Sequence, residues 1–115
     1  GLYIGILIIL IKYSWHNMKQ NYTLMGGKAW CCFSVFYSRK AWGSLLTEVV
    51  SFYREFQSLF HYFVAYFSEQ QGEHIKVTFS FDIENMVEIQ ERVDTHFLLF
   101  LNQNPSVHPK QFPFG

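Results

Sequence analysis

Residues 74–81 alternate without a break. His74, Lys76, Thr78 and Ser80 take one parity, and Ile75, Val77, Phe79 and Phe81 the other. Successive side chains on a strand point to opposite faces, so this pattern specifies a strand with one apolar and one polar side. The apolar side must be covered, whereas the polar side can face water. The chain is therefore expected to build a sheet packed on one face only. Whatever else it forms has to cover that face.

Two helical segments are expected to supply the cover. From Lys40 to Ser58 the apolar residues Trp42, Leu45, Leu46, Val49, Val50, Tyr53 and Phe56 recur at amphipathic-helix spacing. Thr47, Glu48, Arg54 and Glu55 take much of the other side, and Ser38 is placed to cap the start. The second segment begins at Asp82, also a cap residue, and ends near Asn102, before Pro105. Ile83, Met86, Val87, Val93, Phe97, Phe100 and Leu101 form its apolar stripe. Lys28 to Tyr37, after the Gly26-Gly27 turn, reads as a strand rich in aromatic and β-branched residues. Leu59 to Phe67 reads as a strand that is aromatic on both faces. Ser68 to Glu73 joins it to the alternating strand as a hairpin loop, with Gly72 at the tight point.

The predicted order is strand, helix, strand, strand, helix. A fourth strand beyond the end of the sequence would complete a ferredoxin-like βαββα(β) unit. The expected class is α+β, an antiparallel sheet with both helices on one face. The other face, carrying His74, Lys76, Thr78 and Ser80, is left open for a ligand or partner.

At 115 residues the chain has room for one domain, and a fifth of it is aromatic. That is more aromatic surface than a small domain buries alone, so a homodimer, a partner enzyme or a bound peptide is expected. Nine basic residues balance nine acidic ones, so there is no clustered positive excess for general nucleic-acid binding. Cys31 and Cys32 are adjacent and so point to opposite faces of a strand. They give no disulfide framework, and a reducing cytoplasmic setting is expected. Leu2 to Ile11 is almost wholly apolar but too short to span a bilayer as a helix. It has no basic flank or cleavage site of a signal peptide. Met18 offers a start, and residues 1–27 are expected to be a leader and turn outside the domain. The division expected is 1–27, a domain over 28–102, and a Pro-rich tail over 103–115.

His74 and Lys76 are the candidate site residues. Two positions apart on one strand face, they lie about 7 Å apart. An anionic group fits between them, and a histidine can move a proton near neutral pH. A plain polar sheet face is the alternative. His16, His61, His96 and His108 show no metal-ligand spacing, and His96 is expected at the exposed edge of its helix. No phosphate-binding glycine loop or nucleophile elbow is present. Neither metal nor cofactor is expected.

Over residues 28 to 81 the sequence resembles a family. Trp30 and Tyr37 stand in the first strand, and the paired Leu45 and Leu46 in the helix. Phe63-Val64-Ala65-Tyr66 stands where Phe-Ile-Arg-Tyr is usual, and His74-Ile75-Lys76-Val77-Thr78-Phe79 where His-Leu-Arg-Leu-Arg-Phe is usual. On these residues the chain resembles the C-terminal domain of lantibiotic dehydratases and the thiopeptide-type bacteriocin biosynthesis proteins. The resemblance implies action on a modified precursor peptide: elimination of glutamate from glutamylated Ser or Thr, or ring closure. Elimination needs a base at the α-proton and fixed positive charge on the departing carboxylate. His74 would move the proton and Lys76 would hold the anion. Ala65, Lys76 and Thr78 stand where the family has arginines, and lysine lacks the guanidinium fork. Two readings follow. One is a divergent lyase acting on a precursor peptide, alongside a separate dehydratase or other pathway enzyme. The other is a non-catalytic peptide- or partner-binding module.

Overall fold

A computed structural model describes residues 8–15 and 18–104, and for residues 8–15 only the course of the backbone. The apolar start before residue 8, the Pro-rich tail from residue 105, His16 and His108 lie outside the described residues. The elements are β1 (Ile8–Trp15), β2 (Met18–Met25), β3 (Lys28–Phe36), α1 (Trp42–Phe56), β4 (Tyr62–Ser68), β5 (His74–Asp82) and α2 (Met86–Gln103). The strands form one antiparallel sheet in the order β1-β2-β3-β5-β4. The chain crosses from β3 over α1 to β4, and β5 then returns between them. The turn into β5 uses Gln71 and Gly72, whose φ values are 61° and 111°. Both helices share one buried cluster with one side of the sheet. This is the α+β, ferredoxin-like arrangement expected.

The fourth strand of that unit is β2. It lies antiparallel to β3, on the flank where a strand after α2 was expected. Residues 18–25, read from sequence as part of a leader and turn, are therefore a sheet strand with a buried side. Met18, Gln20 and Tyr22 are all 0% exposed. The Tyr22 hydroxyl donates to Gln20 Oε1 at 3.0 Å, and Gln20 Nε2 donates to Asp94 Oδ1 of α2 at 2.9 Å. These bonds satisfy polar atoms that burial would otherwise penalise. Met25 pairs with Lys28 across Gly26-Gly27, and Gly26 takes φ +65° in this two-residue turn.

The core uses one parity of each strand. Ala29, Cys31, Phe33 and Val35 of β3 and Ile75, Val77, Phe79 and Phe81 of β5 are fully buried. Phe79 is the hub, with the rings of Phe33, Phe52, Phe60, Phe63 and Phe81 all at centroid distances between 5.0 and 6.2 Å. Burial pushes the Cys31 thiol far above its ordinary range, and both cysteines are free.

The helices differ from expectation in their facing. α1 buries Leu45, Val49, Phe52 and Phe56. Phe52, outside the expected stripe, is at the centre, whereas Leu46, Val50 and Tyr53 from that stripe are 36–40% exposed. α2 buries Ile89 with Val93, Phe97, Phe100 and Leu101, and leaves Val87 68% exposed. Neither expected cap makes a side-chain capping bond. Ser38 and Asp82 each precede a short 3₁₀ turn, and α1 and α2 follow Ala41 and Asn85. The Asp82 carboxylate instead meets His61 Nε2 at 2.9 Å and Lys28 Nζ at 3.9 Å. These neighbours hold its pKa below the usual range, His61 foremost.

Candidate binding face

The side of the sheet away from the helices is built in rows set by strand register. One row runs Thr23, Trp30, Ser80, Tyr62, and the next Asn21, Cys32, Thr78, Val64. A third runs Lys19, Ser34, Lys76, Tyr66, and a fourth Phe36, His74, Ser68. Trp30 and Tyr62 meet across Ser80 with ring centroids 5.5 Å apart, and Ser80 is left 1% exposed. Trp30 is 39% exposed, and Tyr62 and Tyr66 are each 48% exposed. The Thr78 hydroxyl donates to Cys32 Sγ at 3.5 Å. Lys76 is half-buried, and no ion pair to it occurs among the described residues.

His74 and Lys76 share this face, as the alternation requires. Their environments differ. His74 is only 7% exposed, its ring lies 4.7 Å from that of Phe36, and Nδ1 donates to the Gly72 carbonyl oxygen at 2.8 Å. The ring is held by the hairpin rather than presented to solvent. Ala65 does not join the group. It lies on the helix side of β4, packed against the core and lining a hollow with Leu46 and Val49. The three positions where arginines are usual in the resembled family thus fall on two faces, with Lys76 and Thr78 on one and Ala65 on the other.

A second polar assembly, between the helices, was not expected. His96 lies across from α1 with Nδ1 against Glu48 and Nε2 2.8 Å from Glu55 Oε1. The ring thus lies between two carboxylates, one at each nitrogen. Arg92 grips the same Glu55 through Nε at 2.9 Å and Nη2 at 3.1 Å. Arg92 first and then His96 hold the Glu55 carboxyl below the usual carboxylate range. The His96 side chain is 10% exposed, so it is not the solvent-edge residue that its position suggested. The sequence signal was spacing: Glu48 and Glu55 are seven apart on α1, Arg92 and His96 four apart on α2, so each pair lies on one side of its helix. These groups satisfy one another as a staple between the helices. His61 pairs with Asp82 at the start of β4. Among the described residues no three His, Cys, Asp or Glu side chains come together to hold a metal ion, and no helix is long and apolar enough to cross a membrane.

Fold and face together define a ferredoxin-like α+β domain with an open sheet surface bearing aromatic rings and a lysine. No known protein family matches the chain, and no curated protein or solved structure is significantly similar to it.

Proposed function

We propose that the chain is a peptide-binding module that holds a modified precursor peptide on its open sheet face. The setting is cytoplasmic lantibiotic- or thiopeptide-type peptide biosynthesis, beside a separate dehydratase or other pathway enzyme. The observation that carries the reading is the Trp30–Tyr62 ring pair two rows from Lys76. Exposed rings on a rigid sheet give apolar contact at little entropic cost. Lys76, on the same face and level with Tyr66, offers an ammonium that fits a carboxylate such as a glutamyl group. The residues that resemble the bacteriocin family name the ligand class. Holding, rather than turnover, is favoured by His74. A general base must come within hydrogen-bond reach of the proton it takes. The His74 ring is packed on Phe36 and tied to Gly72.

The test is calorimetric titration with a glutamylated precursor peptide and its unmodified form, while the peptide mass is followed over time. Binding is expected with no mass change. Trp30→Ala is expected to weaken it by ~10-fold or more, and Lys76→Ala by a few-fold, with loss of the preference for the glutamylated form. Equal affinity in both variants would refute this use of the face. Loss of the glutamyl group, abolished by His74→Ala, would make the chain an elimination enzyme instead.

A further inference from the structure

We propose that β4 pairs antiparallel with β4 of a second copy, joining two sheets edge to edge and covering an apolar flank of α1. Among the described strands β4 has a neighbour on one side only. Its other edge presents main-chain N–H and C=O groups beside the sequence Tyr-Phe-Val-Ala-Tyr-Phe-Ser. That edge has no charge and no proline, the usual protections against strand addition.

Six of the eleven exposed large apolar residues among the described ones lie at this flank. Leu46, Val50 and Tyr53 of α1 are 40%, 38% and 36% exposed, and Tyr62, Tyr66 and Phe67 of β4 are 48%, 48% and 36% exposed. A hollow of about 420 Å³ lies between the two elements, with Ala65 and Phe63 on its strand side. The exposed set lies on both sides of the sheet. Tyr62 and Tyr66 are on the open face, whereas Leu46, Val50 and Tyr53 are in the helix layer. A single bound strand would cover one level. A second copy brings a strand edge, open-face rings and a helix flank at matching heights.

Self-pairing is also self-consistent. A two-fold axis through Ala65 sets Val64 opposite Tyr66 of the second copy, both on the open face. It sets Phe63 opposite Phe67, both on the helix side. Such cross-strand pairs are favourable, and the small Ala65 at the axis lets the backbones approach. The charges agree. One end of β4 carries the His61–Asp82 pair and the other end the Arg39–Glu69 pair. Antiparallel pairing brings these two ends together, base near acid. At roughly 200 Å² per such side chain, the six residues expose about 500 Å² in one copy. A pair then covers about 1,000 Å², the lower bound for a specific interface. The pairing shares Tyr62 and Tyr66 with the open face, where their rows continue to Trp30 and Lys76, so the two surfaces adjoin.

Mass measurement by light scattering after gel filtration, over a range of loading concentrations, tests this on the whole chain. The expected result is a concentration-dependent rise from 13.7 kDa towards twice that value. Tyr66→Lys and Val50→Lys each put a charge into the flank without touching the core. Each is expected to weaken the pair by ~10-fold or more, with an unchanged circular dichroism spectrum. Val87→Lys, on the exposed side of α2, is expected to change nothing. In the unaltered chain, amide exchange in β4 is expected to slow as concentration rises. A chain monomeric at about 100 µM overturns the proposal, because interfaces of even modest quality hold there. A dimer that survives both lysine variants overturns it too, and so does a monomer whose groove takes a peptide.

Discussion

Phe52 and Tyr53 are neighbours on α1, and only one of them can face the core. Phe52 is fully buried, with the rings of Phe56, Phe60, Phe79, His96 and Phe97 at centroid distances of 5.5 to 5.8 Å. Tyr53 is 36% exposed and packs on Phe60 and Phe63 at the flank. Removing a buried Phe ring costs about 3–5 kcal/mol, through lost transfer energy and the cavity left behind. With so many ring neighbours on every side, the site cannot collapse readily, and Phe52→Ala belongs in the upper half of that range. Total stability of a domain this size is about 5–15 kcal/mol, so the variant is left marginal. Tyr53→Ala forfeits partial burial and two ring contacts, about 1–2 kcal/mol. Phe52→Leu keeps most of the volume and should cost less than ~1.5 kcal/mol. Urea unfolding followed by far-UV circular dichroism, at one fixed protein concentration, reads all three. With m of about 1–3 kcal/mol/M, the midpoint should fall by roughly 2 M for Phe52→Ala and by under 1 M for Tyr53→Ala. A Tyr53→Ala loss equal to or larger than that of Phe52→Ala would refute the reasoning. It would mean that α1 is rotated by about 100°, one residue of helix, and that the core stripe is the one read from spacing.

Two further outcomes follow from single residues. Gly26→Ala should cost about 1–2 kcal/mol in the same unfolding assay; its φ is +65° and a Cβ there meets nothing within 4 Å, so the cost is conformational, not steric. Glu55→Gln should remove a pH-dependent contribution. The Glu55 pKa is depressed in the folded chain, by Arg92 first and His96 next, so its stabilisation is present above the ordinary carboxylate pKa of about 4.3 and is lost as pH falls through the lower folded value. The stability gap between the two proteins should close as pH falls below about 4.3. With Glu55 37% exposed, the gap should stay under ~1 kcal/mol.

The strand from His74 was fully legible because its alternation has no exception, and the face that it assigned to His74 and Lys76 is the face that they occupy. β2 was not legible. Lys19 and Asn21 are polar on one parity, but Gln20 puts a polar residue on the other, between Met18 and Tyr22. That break in pattern is resolved only by Asp94, 74 residues further on. No local rule anticipates a buried amide whose partner is on a distant helix. The extent of the domain was misplaced for that reason, and with it the fourth strand. The facing of α1 failed differently. Leu45, Val49 and Phe52 form one apolar stripe, and Leu46, Val50 and Tyr53 form another beside it. Spacing cannot choose between two equally apolar stripes, and only the position of Phe79 beneath the helix decides. His74 was placed on the right face but at the wrong depth, since Phe36 covers it from the neighbouring strand.

The second stripe of α1 has a consequence for how stability and association are linked. A helix that needed only to cover its sheet could carry polar residues at 46, 50 and 53, as it does at 47, 48, 54 and 55. The apolar residues at those three positions still leave 36–40% of each in water. They border the one strand edge of the ferredoxin-like unit that carries no charge, and the small Ala65 keeps the space between helix and edge open. On the opposite side the unit's last strand, β2, is paired on both sides, and the sheet goes on to β1. Exposed apolar surface is costly to keep soluble unless something covers it. The exposed apolar flank of α1 beside β4 therefore locates association at that edge; it covers Tyr62 and Tyr66 and leaves Trp30 and Lys76, on the strands further in, to a ligand.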